Sequence, residues 1–121
     1  MSGTYKDLEV WRAAMELAIQ VYRLTALFPK EERYGLTSQM RRAAVSVPSN
    51  SAEGKGRLSD KELIHFLCNS RGSLFEIETQ LTIGERLGYS TTEECNAVRQ
   101  ETARVGQMLN GLMRSVRPRA A

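Results

Sequence analysis

His65 and Cys68 are the chain's best candidates for a nucleophile pair, because a spacing of three puts both on one helix face. His65 is the only histidine, so every histidine mechanism would rest on it. A cysteine nucleophile also needs an activated thiolate and an oxyanion site, and no glycine-rich turn adjoins this pair. Carboxylates pair as Glu31–Glu32, as Glu76 with Glu78, and as Glu93–Glu94. The first and last read as helix-start residues favoured by the dipole, and Glu76 and Glu78 face different directions on a helix. One Glu-x-x-His pair exists, Glu62 with His65, but a di-iron bundle needs two such pairs and His65 is the only histidine, which removes that chemistry. Gly54-Lys55-Gly56-Arg57 lacks the glycine spacing and the Lys-Ser/Thr ending of a phosphate loop. The inventory therefore predicts no catalytic residue, no metal ligand and no cofactor. The chain reads as a non-enzyme.

Binding has better material. The net charge is only +3, but it is unevenly spread. Residues 36–58 and the C-terminal stretch from Arg99 are basic, whereas residues 59–98 are acidic. Arginine suits bidentate phosphate contact, and a basic patch suits a nucleic-acid backbone. Arg41, Arg42, Lys55, Arg57 and Arg71 are expected to form one nucleic-acid-binding surface, with Arg114, Arg117 and Arg119 adding charge at the C-terminus. Aromatic partners are sparse, so backbone-directed contact is expected instead of sequence-specific single-strand readout. The competing reading is a set of solvated helix faces.

The elements that position these groups are helices. Apolar residues recur at 3–4 spacing throughout, and no segment alternates as a half-buried strand does. The first helix is predicted over about 5–28, closed by Pro29, with two neighbouring apolar stripes. One contains Leu8, Trp11, Met15, Ala18 and Tyr22; the other Val10, Ala14, Leu17, Val21, Leu24 and Phe28. A single core needs a stripe little more than 100° wide. Val10, Leu17, Val21 and Leu24 are accordingly assigned to a neighbouring subunit, which predicts a homo-oligomer.

The second helix is predicted over 36–54 and carries Pro48 at its centre. Proline in a helix interior costs roughly 3 kcal/mol, so a kinked, continuous helix is expected. Ala44 loses its carbonyl's usual donor there, with Ser46 or Asn50 as compensating groups. Ser59 with Glu62 makes a capping box for a third helix over 60–87, stopped at Gly88. Ser90–Glu93 and Thr91–Glu94 both offer caps for a fourth helix over 92–116, ended by Pro118. The fold class is therefore all-α, an antiparallel up-and-down four-helix bundle, with residues 1–121 as one domain. No apolar run reaches the length of a membrane span, no secretory leader is legible, and Cys68 and Cys95 stand apart. A cytoplasmic location is expected.

Gln39-Met-Arg-Arg-Ala-Ala-Val-Ser-Val-Pro-Ser-Asn-Ser-Ala-Glu-Gly54 is followed by Gly72-Ser-Leu-Phe-Glu-Ile-Glu-Thr-Gln-Leu81 and Leu87-Gly-Tyr89. Together they resemble the four-helix-bundle proteins encoded in 23S ribosomal RNA intervening sequences. Trp11, Tyr22, Thr25, Phe28-Pro29 and Tyr34-Gly-Leu36 match the same pattern, so the resemblance covers about residues 8–89. It implies a ring, typically a homopentamer, and kinship with accessory proteins of diversity-generating retroelements, which assist a reverse transcriptase and contact its RNA. Carried over by position, Arg41, Arg42, Ser46, Pro48, Asn50, Glu53, Gly54 and Ser73 fall on the family's polar motif. Ser51 stands where the family more often has a bulky aliphatic residue, and Gly84 where it has alanine.

The functional expectation is an oligomeric basic bundle that binds structured RNA or a nucleoprotein complex through phosphate contacts. The alternative is a protein-interaction accessory subunit, for example of a reverse transcriptase, without nucleic-acid binding of its own.

Overall fold

The computed structural model describes residues 3–116, so Arg117, Pro118 and Arg119 lie outside the described residues. Four α-helices follow one another: α1 Glu9–Thr25, α2 Leu36–Lys55, α3 Asp60–Arg86 and α4 Thr92–Val116. Each packs on its neighbours in sequence, and α4 closes back on α1. The short connections between long helices make this an antiparallel four-helix bundle. Short 3-10 turns at Tyr5–Asp7 and Lys30–Glu32 precede α1 and α2.

The starts of α3 and α4 follow their caps. Ser59 Oγ accepts from the Glu62 N–H at 3.2 Å and opens α3. Of the two caps available to α4, Thr91 is used: its Oγ1 accepts from the Glu94 N–H at 3.1 Å, and Glu94 Oε1 accepts from the Thr91 N–H at 2.8 Å. Gly88, at φ 79, makes the left-handed turn that ends α3. The first helix is shorter than expected at both ends. Leu8 is extended between the 3-10 turn and α1, and beyond Thr25 the chain turns towards Pro29.

The two stripes of α1 exchange the roles the sequence suggested. Val10, Leu17, Val21 and Leu24 lie inside the bundle, with Leu17 and Val21 wholly buried. They fill this chain's own core and have no surface to offer a neighbouring subunit. The other stripe is only partly left over: Ala18 is buried and Leu8 packs on the core, whereas Met15 and Tyr22 are exposed and Trp11 half-buried, with Ile19 exposed beside them.

A single helix runs through Pro48. The expected compensation at Ala44 is not what forms. Asn50 Nδ2 donates to the Ser46 carbonyl at 2.9 Å and to Ser46 Oγ at 2.8 Å, two residues beyond the Ala44 carbonyl that proline orphans. The small polar residues around Pro48 instead build the α2–α3 seam. Ser70 Oγ donates to the Val47 carbonyl at 2.8 Å, Ser51 Oγ to the same carbonyl at 3.0 Å, and Ser73 Oγ to Ser46 Oγ at 2.8 Å. A Cβ on Gly54 would stand 2.9 Å from Phe66 Cβ and 3.0 Å from Leu63 Cδ1, so glycine sets the helix separation there.

Both departures from the family pattern are explained by packing. Ser51 is fully buried and pairs with Ser70 at 3.2 Å, so two hydroxyls occupy the space of an aliphatic chain. Gly84 gives its space to the buried Phe28 ring, whose Cζ would be 3.0 Å from an added Cβ.

A candidate nucleic-acid interface on the α1–α2 face

Successive helical residues project 100° apart, so neighbouring arginines need not share a surface. The five basic residues singled out in the sequence do not form one. Arg41 turns towards α1, where Nε donates to Thr25 Oγ1 at 2.9 Å and a terminal nitrogen to the Tyr22 carbonyl at 3.2 Å. It thereby closes the C-terminal end of α1, with its guanidinium 4.6 Å from the Tyr22 ring centre. Arg71 points the other way, to Asn110 Oδ1 on α4 at 3.1 Å. The α1–α2 and α3–α4 grooves are on opposite sides of the bundle. Arg57 is at the far end of α2, paired with Glu53 at 2.8 Å and lying 4.8 Å over the Phe66 ring. Lys55 is about 21 Å along the axis from Arg41. One basic surface is thus replaced by separate sites.

Arg41 and Arg42 do belong to a basic site, with partners the sequence reading missed. Tyr22, Arg33, Tyr34, Thr37, Ser38, Arg41, Arg42, Val45 and Ser46 line a notch of about 620 Å³ between α1, the 30–35 connection and α2. Three arginines and no carboxylate line it. Tyr34 is 88% exposed, and the Arg33 guanidinium lies 5.8 Å from its ring centre. Arg42 is exposed, with no ion pair among the described residues. Thr37 is buried at the notch wall with its Oγ1 unpartnered. The cue for Arg33 and Tyr34 was their position in a short connection just before a helix start, where periodicity is silent.

The 30–35 connection that carries Arg33 and Tyr34 is anchored. Glu32 Oε1 accepts from the Leu36 N–H at 3.1 Å, and Glu32 Oε2 accepts from the Tyr89 hydroxyl at 2.8 Å. The Leu36 N–H and then the Tyr89 hydroxyl hold the Glu32 carboxyl below its ordinary range, and the same bond raises Tyr89. The connection is tied to the start of α2 and to the α3–α4 turn, so the notch is presented on a fixed support.

Below the notch the face becomes apolar. Tyr5, Trp11, Met15, Ile19, Tyr22, Val45 and Pro48 line a groove of about 640 Å³, continuous with the notch through Tyr22 and Val45. The remaining motif residues are structural: Ser46, Gly54 and Ser73 build the α2–α3 seam, Asn50 braces Ser46 from within α2, and Glu53 binds Arg57.

The two residues raised as a possible nucleophile pair have other partners. His65 is exposed and stacks edge-on against Phe66, whereas Cys68 Sγ faces Met113 Sδ at 3.7 Å. Burial pushes the Cys95 thiol up, away from thiolate reactivity. Glu85 is held below its ordinary range by the Arg99 guanidinium, its partner across α3 and α4. Among the described residues no group of side chains has a metal-site arrangement, and no helix is long and apolar enough to cross a membrane.

The sequence pattern of the 23S rRNA-intervening sequence proteins matches residues 6–111. The fold is shared with the crystal structure of a protein of unknown function from the S23 ribosomal protein family of Bacteroides thetaiotaomicron. That likeness has a TM-score of 0.77 at 19% identity, covering 86% of this chain and 97% of the other. No curated protein matches the chain.

Proposed function

Because the chain belongs to the 23S rRNA-intervening sequence protein family, we propose that it is a non-enzymatic helical bundle of the cytoplasm that self-assembles and binds structured RNA. The observation that supports this reading is the α1–α2 notch. Arg33, Arg41 and Arg42 converge there without a carboxylate, and Tyr34 offers a free ring face beside them. Arginines of this kind hold phosphates, and an exposed ring stacks on an unpaired base. Arg41 is already fixed by α1, so it binds as a preset cation at little entropic cost.

A second reading is favoured by the apolar groove. It fits an accessory subunit that docks on a protein, for example a retroelement reverse transcriptase, with the arginines at the rim of that contact. Salt separates the two. Three phosphate contacts at the notch give a log–log slope of about −2 to −3 per subunit, at 0.7–0.9 per contact. Anisotropy of a labelled RNA stem-loop is expected to follow that slope across a salt series. Absence of binding at low salt, or a flat slope, would leave the protein-docking reading in its place.

A further inference from the structure

Antiparallel packing that sets Ser46 of α2 against Ser73 of α3 also fixes what stands further along the same groove. Arg42 is four residues from Ser46 and Glu76 three from Ser73, about 6 and 4.5 Å along the two axes, so they occupy opposite walls at nearly one level. Gln39 and Gln80 are each seven residues on, about 10.5 Å, and stand opposite at the next level. With buried Ala43 between them, these residues and Ser46 line a pocket of about 350 Å³. The pocket meets the notch at Arg42 and Ser46, which line both.

Its hydrogen-bonding capacity is open. Gln80 is 8% exposed, and its Oε1 has no partner. A buried amide oxygen left unbonded is costly, so it marks a place where a ligand has something to supply. Glu76 is exposed and in no ion pair among the described residues, even with Arg42 across the groove. Ser46 Oγ accepts from Ser73 Oγ and from Asn50 Nδ2, which leaves its own hydrogen to donate. From the notch end the pocket therefore presents a donor, then a carboxylate that accepts twice, then one more acceptor. We infer that this pocket takes the Watson–Crick edge of an unpaired guanine from the RNA held at the notch. Ser46 donates to O6, Glu76 accepts from N1–H and N2–H, and Gln80 Oε1 accepts the second N2 hydrogen. Guanine alone among the common bases puts two neighbouring donors on that edge. Adenine and cytosine turn a ring-nitrogen acceptor to the carboxylate, and uracil a single N–H between two carbonyls. Arg42 at the shared rim keeps the phosphate, so base and backbone are held by adjoining sites.

The inference rests on the RNA reading of the notch and adds a base preference to it. The test is anisotropy of the full chain with labelled RNA stem-loops that differ only in the loop, whose guanines are kept, replaced by inosine, or replaced by adenine. The guanine loop is expected to bind about tenfold more tightly than the adenine loop, the scale of one bidentate base contact. Inosine, which lacks the N2 amino group, is expected to fall between them. Glu76→Gln exchanges one acceptor for a donor, so it is expected to move the preference from guanine towards adenine and to leave the salt slope unchanged. Glu76 is exposed, so this variant keeps the fold. Equal binding of the three loops with a steep salt slope would overturn the guanine pocket and leave the notch standing. No RNA binding at low salt would remove both. GMP alone binding as tightly as the guanine loop would overturn the assignment to RNA and make the pocket a site for a free nucleotide.

Discussion

Leu17→Ala is expected to lower the unfolding free energy by about 2–5 kcal/mol, the range for emptying a fully buried leucine site. Ile19→Ala, two positions along the same helix, is expected to cost less than about 1 kcal/mol. The contrast follows from burial: Leu17 is 0% exposed inside the bundle, and Ile19 is 41% exposed on the groove. Urea unfolding at matched protein concentration reads both. A Leu17→Ala chain that kept its folding stability and lost only its oligomeric state would return Val10, Leu17, Val21 and Leu24 to a subunit interface.

The other large effect is on RNA. The double variant Arg33→Ala, Arg42→Ala is expected to lose at least tenfold in affinity and to flatten the log–log salt slope by about 1.4–1.8, two contacts at 0.7–0.9 each. Arg42 has no ion pair among the described residues, and Arg33 leans on the exposed Tyr34, so neither removal opens the core. Arg41 is the wrong residue to remove, because its substitution also strips the Tyr22 carbonyl and Thr25 of their partner. Tyr34→Ala is expected to weaken binding by about 1–3 kcal/mol without changing the slope, the signature of stacking as opposed to phosphate contact. Unchanged affinity in the double variant would assign these arginines to the solvated surface.

Most of the fold was legible, and the reasons are local. Ser59 with Glu62 and Thr91 with Glu94 are short-range capping signals, and they placed the starts of α3 and α4 where the structure has them. Pro48 did not mislead the reading of α2 as one helix, since the residues on both sides keep helical spacing. The allocation of faces was less legible. Both stripes of α1 are apolar, and periodicity gives their phase but not which one meets α2 and α4. The more polar stripe, with its tyrosine and tryptophan, is the one that faces out.

Charge summed along a segment does not locate a surface, for a related reason. Arg41 and Arg71 come from one basic stretch and the helix after it, yet they reach α1 and α4 on opposite sides of the bundle. Gly54, Ser46, Ser73 and Asn50 were legible only as a polar motif. Gly54, Ser46 and Ser73 sit in the seam that brings α2 and α3 together, where small size and internal hydrogen bonds are what the packing needs, and Asn50 braces Ser46 from within α2. Arg33 was passed over and Tyr34 was noted only for the family pattern, because a short connection has no period to read.

The central claim is that RNA meets this chain at the α1–α2 notch. Photocross-linking of an RNA stem-loop carrying 4-thiouridine, followed by mass spectrometry of the adducts, tests it most directly. Adducts are expected within residues 30–46, with Tyr34 the main site, and to fade as salt rises. Adducts confined to the Lys55–Arg57 end or to α4, or no adduct at low salt, would contradict it.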